Sequence, residues 1–317
     1  MSTKANTYEK VTEQVVALLQ AGVNPWVKTW AGNTAAIGAR SISTGKLYQG
    51  GNAWWLDLLA GGQPSWWGTY KAIQQAGGQV RKGEKGTIVT YWKMIPTTNK
   101  VTGEKEFIPF LRHFTVFRST QADWANGFPT TICGVPTEVP PWTLEDQKAG
   151  NAKAEAIAQG YIDGGHGPSF TAAGNSAYYQ PSKDAVVVPT LSSFNTESDY
   201  WTTVFHELGH STGHANRLSR KGITDSDGFG GHTYAFEELV AEFTALFLSS
   251  EVGIHAETVD NSASYLASWA KKLEDNPKWI VQATGQAAKA AQLILHKGDK
   301  AAAKQARDEK YAAQEAA

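Results

Sequence analysis

TESDYWTTVFHELGHSTG, residues 196–213, reads as one helix that packs by one face and presents chemistry from the other. Thr196 can cap its start, Asp199 three residues on completes a capping-box-like arrangement, and Gly213 offers a stop. Wound at about 100° per residue, Trp201, Val204, Phe205 and Leu208 fall into one apolar stripe. His206 and His210 lie roughly opposite. Two imidazoles at i and i+4 can aim their nitrogens at one Zn²⁺, with Glu207 beside them to take a proton from a water on the ion. Zinc lowers the pKa of such a water toward about 7, which makes a nucleophile at neutral pH.

Zinc needs a third protein ligand. His214 is nearest, but at i+8 on a straight helix it reaches past the ion, so capping or touching a ligand histidine suits it better. The better third ligand lies in YAFEELVAEFTALFL, 234–248. Phe236, Leu239, Val240, Phe243, Leu246 and Phe247 share one face of this segment. Tyr234, Glu238, Ala241, Glu242 and Ala245 share the other. Two unpaired glutamates would make a costly core face; facing a metal they make sense, with the alanines letting the second helix come close. Glu238 can ligate, Glu242 can hydrogen-bond a ligand histidine, and Tyr234 can donate to an oxyanion. Glu237 points about 100° away from Glu238 and is the weaker choice of ligand.

The bulk composition suits a folded protein with a sizeable core: 317 residues, 41% hydrophobic and 19% charged. The one cysteine, Cys133, excludes an internal disulfide and fits a small buried hydrophobe in a reducing compartment. The start, MSTKANTYEK, lacks a signal-peptide core and no long apolar run occurs, so the expectation is a soluble cytoplasmic protein without membrane partners. The net charge of −1 conceals an asymmetry: residues 1–142 carry +6 and nine of the twelve tryptophans, residues 143–317 carry −7. FPTTICGVPTEVPPW, 128–142, holds four prolines and is the best boundary between the two parts.

The first part opens with a helix from about Tyr8 to Leu19, stopped by Gly22. A second helix carries Trp54, Trp55, Leu58 and Leu59, and a third runs from about Ser65 to Ala76. QVRKGEKGTIVTYWKMI then reads as a turn and a strand, and FIPFLRHFTVF, 107–117, as its hairpin partner across TTNKVTGEK. Aromatic and basic residues interleave along this part. Cations pair with phosphates and rings stack on unpaired bases, so Trp26, Lys28, Trp30, Tyr48, Trp66, Trp67, Tyr70, Lys71, Arg81, Lys82, Lys85 and Trp92 are the candidate contacts to single-stranded DNA, without sequence preference. About two in three of these rings are expected in the core. In the second part a helix spans about 144–158, and short strands at about 177–180 and 185–188 flank a Pro-Ser-Lys-Asp turn. A peptide could add to an exposed edge there and lie across the metal.

STGKLYQGGNAWWL, TYKAIQQAGGQVRKGEKG, AYYQPSKDAVVVPTLSSF, HELGHSTGHANRLSR, FGGHTYAFEELVAEFTALFL and SYLASWAKKLEDN, in this order, resemble the ArdC-type plasmid antirestriction proteins. They are similar also to the N-terminal part of TraC-type conjugation primases. The likeness runs from about Tyr8 to Leu295. It implies an N-terminal domain that binds single-stranded DNA, a C-terminal zinc-metallopeptidase-like domain, and protection of incoming conjugative plasmid DNA from host restriction. By residue it implies His206, His210 and Glu238 as metal ligands and Glu207 as base.

The expectation is thus an α+β protein of two domains: a small α+β DNA-binding domain over 1–130, a Pro-rich linker over 131–143, and a mostly helical zincin-like metallopeptidase domain with a short sheet over 144–296. A charged, Ala-rich tail follows over 297–317. One Zn²⁺, or another divalent ion, would serve a peptidase acting on an unknown protein substrate. The alternative is a non-proteolytic DNA-binding protein whose metal is structural. A nuclease fits less well, since two-metal nucleases need more carboxylates than one His/His/Glu set.

Overall fold

The computed structural model describes residues 7–25, 38–61, 63–98, 105–128, 143–164, 167–227, 231–254 and 263–295. Trp26, Lys28, Trp30, Cys133, most of the Pro-rich linker and the C-terminal tail lie outside these residues.

Helix α1 (Thr7–Gln20) buries Val11, Val15, Val16 and Leu19 and ends where Gly22 takes a φ of +80°. Strand β1 (Arg40–Ser41) runs parallel to β2 (Trp66–Gly68). The order of that sheet is β1-β2-β5-β4, where β4 (Thr87–Thr98) and β5 (Lys105–Arg118) form a long antiparallel hairpin from Thr87↔Val116 to Thr98↔Lys105. Helix α2 (Gly50–Leu59) buries Trp54, Trp55 and Leu56. The expected helix over 65–76 is divided: Trp66 and Trp67 extend as β2, and Thr69 then caps a short helix α3 (Tyr70–Gln75) by accepting from the Ala72 amide. Pairing of Trp67 with Arg118, and packing of both indoles inside, overrides local helix propensity. β3 (Gly78–Val80) pairs with β6 (Ala122–Trp124) in a small separate ribbon.

The second part begins with α4 (Leu144–Asp163), started by a Thr143–Asp146 capping box. A three-stranded sheet follows in the order β7-β9-β8, with β7 (Ser169–Ala172) parallel and β8 (Tyr178–Gln180) antiparallel to the central β9 (Ala185–Val188). Periodicity alone reveals only β8 and β9; β7 is mostly exposed and lacks a buried alternation to announce it. Val186 and Val188 turn inward beneath α5 (Glu197–Ser211), which bears the histidines. The short helix α6 (Lys221–Thr224), then α7 (His232–Val252), α8 (Ala263–Asp275) and a last helix α9 over 279–295 complete the chain. None of the described helices is long and apolar enough to cross a membrane.

One hydrophobic cluster draws on both sides of residue 130, while two smaller clusters each stay on one side. Val15 of α1, Trp54 of α2 and Val116 of β5 share one cluster with Leu239 and Phe243 of α7, Leu273 of α8 and Ile280 of α9. Trp54 meets Phe243 edge to face at 4.8 Å, and a Cβ on Gly51 would fall 2.6 Å from Thr284 Oγ1, so α2 lies against α9 almost backbone to side chain. Phe243→Ala is therefore expected to lower the stability of the whole chain by about 3–5 kcal/mol in one transition. Two separate thermal transitions, only one of them shifted, would contradict a shared core.

Candidate metal centre

Helix α5 is built as its sequence suggests. The Thr196 hydroxyl accepts from the Asp199 amide, and Val204, Phe205 and Leu208 are fully buried. His206 and His210 emerge one turn apart, and α7 crosses close by because the partner position is small: a Cβ on Gly209 would already sit 3.4 Å from the Ala241 Cα. This approach delivers Glu238. Its Oε2 lies 3.5 Å from His206 Nε2, its Oε1 3.4 Å from His210 Nε2, and the two Nε2 atoms are 3.1 Å apart. Among the described residues these three form the one group that could hold a metal ion. Ligands at about 2.0–2.1 Å in a tetrahedron stand about 3.3 Å from one another. The three donor atoms therefore fit a divalent ion.

In this constellation each charge alters its neighbours. Burial disfavours the charged His210 ring, but the carboxylates of Glu237 and Glu238 outweigh it and push its pKa up to about 10. His206 is likewise raised: burial opposes, and Glu238 and then Glu242 prevail. Burial would raise Glu238, yet both imidazoles hold it well below the usual carboxylate range. Glu242 is raised, by burial first and by repulsion from Glu238, with His206 opposing.

Glu207 is 7% exposed, and its carboxylate has no hydrogen bond or ion pair among the described residues. Tyr234 hydrogen-bonds Glu238; burial, then that carboxylate, raises its pKa. Glu242 stands 4.0 Å from His206 Nδ1, at ion-pair range and beyond a hydrogen bond. His214 stays away from the three donors: its Nδ1 accepts the Asn216 amide at 3.3 Å, which is a capping role in the loop after α5. Glu237, the weaker ligand choice by sequence, faces the far nitrogen of His210, with Oε1 3.4 Å from Nδ1, and is clamped by Arg220. That same loop is latched to the sheet. Arg217 binds Asp184 through both terminal guanidinium nitrogens and donates from Nε to the Ser211 carbonyl, while Tyr179 donates to Asp184 at 2.9 Å.

The nucleic-acid candidates divide. Trp66 and Trp67 are 8% and 3% exposed and belong to the core, which removes them as stacking platforms. Tyr48 is half-buried against the main core. Arg81 is exposed but its charge is occupied, with Glu84 at 2.8 Å, Asp123 at 3.5 Å and the Thr120 carbonyl at 2.7 Å. Trp92 lies in β4, with its side chain outside the description. Tyr70, 47% exposed, borders a shallow groove of about 540 Å³ with Gln79, Lys82 and Phe117. Lys71, Lys82 and Lys85 are exposed and without ion pairs among the described residues. The sequence reading missed Phe114, which is 51% exposed and stacked on Tyr91 at 4.9 Å with 6° between planes. Alternation along the hairpin places Phe114 and Arg112 on one face, which was the available signal.

Comparison with known proteins covers both parts of the chain. Residues 5–117 match the family described as the N-terminal domain of anti-restriction factor ArdC, and residues 160–286 match a zincin-like metallopeptidase family. The crystal structure of the antirestriction ArdC protein from plasmid R388 in metal-free form is 31% identical, with a TM-score of 0.66 over 93% of this chain and 99% of that one. Its Mn(II)-bound form is 30% identical with a TM-score of 0.67 over 93% and 98%. An Escherichia coli DNA primase TraC is 34% identical over 302 residues, 93% of this chain but 20% of the primase. A second TraC is matched over 27% of its length, so the chain spans only about a quarter of these primases. An uncharacterized Sinorhizobium fredii (strain NBRC 101917 / NGR234) protein, y4eC, is 31% identical, with 90% of each chain covered.

Proposed function

The chain belongs to the ArdC family of antirestriction proteins, and on that premise we propose that it binds single-stranded DNA without sequence preference and protects incoming conjugative plasmid DNA from host restriction. In its second part we place a metal-dependent peptidase centre. The observation that carries this reading is the convergence of His206, His210 and Glu238 at tetrahedral spacing, with the unpaired carboxylate of Glu207 beside them. Zinc is the ion proposed, since two imidazoles and a carboxylate are a donor set it favours.

A divalent ion held there supplies Lewis acidity, which polarises a carbonyl and acidifies water. The chain's own groups do the rest. Glu207 accepts a proton on its carboxylate and returns it to the departing amine. Tyr234, poised at Glu238, offers its hydroxyl hydrogen to the oxygen of the attacked carbonyl. Exposed β8 at the edge of its sheet offers backbone groups that an extended peptide can pair with.

For DNA, the surface around α3, the β3–β4 turn and the hairpin combines open rings with uncompensated lysines. Fluorescence anisotropy of the full chain on a labelled oligo(dT), at two salt concentrations, tests it. Replacing Lys82 and Lys85 with alanine is expected to flatten the slope of log affinity against log salt by about 0.7 for each lysine that pairs with a phosphate. Tyr70→Ala and Phe114→Ala are each expected to weaken binding by about 1–3 kcal/mol at unchanged slope. Binding that is indifferent to salt, or equally tight on duplex, would remove this surface from the proposal.

A further inference from the structure

We propose that the buried Arg220–Glu237 pair is a positioning device for His210: it fixes which ring nitrogen carries the hydrogen and thereby how tightly the metal ion is held. This inference rests on the metal reading of the site. Glu237 is 1% exposed and Arg220 7%, so the pair sits deeper than the ligand Glu238. Arg220 donates from Nε to Glu237 Oε2 at 2.8 Å and from a terminal nitrogen to Oε1. Two further hydrogens go to the Thr212 hydroxyl at 2.6 Å and the Gly209 carbonyl at 2.8 Å. One guanidinium therefore ties the last turn of α5, and the loop after it, to α7.

Glu237 and Glu238 are adjacent on α7, and the turn between them brackets one imidazole. Glu237 meets Nδ1 of His210 at 3.4 Å and Glu238 meets Nε2 at 3.4 Å. A carboxylate engaged by a guanidinium can only accept from the ring, so Nδ1 must carry the hydrogen. When an ion displaces the ring's other proton, the Nε2 lone pair is the one that faces His206 and Glu238, where the ion fits.

The surroundings are shaped for this pair. A Cβ on Gly222 would fall 2.5 Å from the Glu237 Cβ, and one on Gly213 would lie 3.0 Å from an Arg220 nitrogen. A buried ion pair can often be replaced by apolar groups of similar volume without loss of stability, whereas such a replacement cannot orient the His210 ring. That contrast supplies the test.

The experiment is zinc titration of the full-length protein against a chromophoric chelator, comparing wild type, Glu237→Gln and the apolar double variant Arg220→Met/Glu237→Leu, with thermal unfolding of each metal-free form. The double variant is expected to unfold at about the wild-type temperature yet bind zinc about 10- to 100-fold more weakly, as Glu237→Gln does. A folded double variant with wild-type zinc affinity would overturn the proposal. A second readout needs no variant: ¹⁵N-histidine NMR of the zinc-loaded wild type is expected to show His210 protonated at Nδ1. A metal-bound Nδ1 would overturn the proposal equally. Wild type that takes no zinc at His206, His210 and Glu238 would instead remove the metal reading itself, and this inference with it.

Discussion

Glu238→Ala is expected to lower the affinity for a divalent ion by about a hundred- to ten-thousandfold while the fold persists. In the proposed centre three side chains would hold the ion, and structural zinc sites bind with about 10–16 kcal/mol in all. A third of that is several kcal/mol, and each 1.4 kcal/mol is about tenfold. The fold should survive because Glu238 is a quarter exposed and lies outside the shared core. Likeness to the R388 protein is nearly equal for its metal-free and Mn(II)-bound forms, with TM-scores of 0.66 and 0.67. Titration of zinc and manganese against a competing chelator reads the effect directly. Unchanged affinity would mean that the ion sits elsewhere. Glu242→Gln is the control, since its carboxylate stands 4.0 Å from the nearest ring nitrogen and should matter far less.

The same site makes binding depend on pH with a definite sign. Neighbouring carboxylates push His210 up to about 10, so in the metal-free protein the ring holds its extra proton at neutral pH. An incoming ion must displace it. Affinity therefore falls as pH falls and rises toward about pH 10, and loading at neutral pH releases protons. In Glu238→Ala one of the carboxylates that raise both rings is gone, so this dependence should move to lower pH.

Much of this was legible because the signals were local. The Thr196 cap is local, the apolar stripe of α5 and the small face of α7 have helical period, and the β4–β5 strands are rich in β-branched and aromatic residues. What failed was non-local. Trp66 and Trp67 look like part of a helix until the pairing partner Arg118 is known. The charge asymmetry marks the two parts that the two families match, but it gives no sign that Trp54 and Phe243, far apart in sequence, meet across them in one core. Glu237 looks the weaker ligand for the very rotation that aims it at the other nitrogen of His210. Its partner Arg220 lies 17 residues away in a loop, beyond any periodicity.

Glu207→Gln separates the two accounts of what the metal is for. Glutamine keeps the volume of the side chain and loses its capacity to take a proton. Glu207 makes no ion pair among the described residues and glutamine fills the same buried space, so stability and zinc affinity should remain within about threefold of wild type. Cleavage of a quenched fluorescent peptide library by the zinc-loaded protein should fall by about 10²–10⁴, the usual worth of a positioned base. Plasmid transfer into restricting and non-restricting hosts supplies the second axis. If protection falls along with cleavage, proteolysis is part of the biological role. If the variant protects fully, while loss of Lys82 and Lys85 abolishes protection, the DNA surface carries the function and the ion serves structure. If wild type and Glu207→Gln cleave the library at the same rate, the carboxylate is not the base and the hydrolytic assignment of α5 fails, whatever metal it binds.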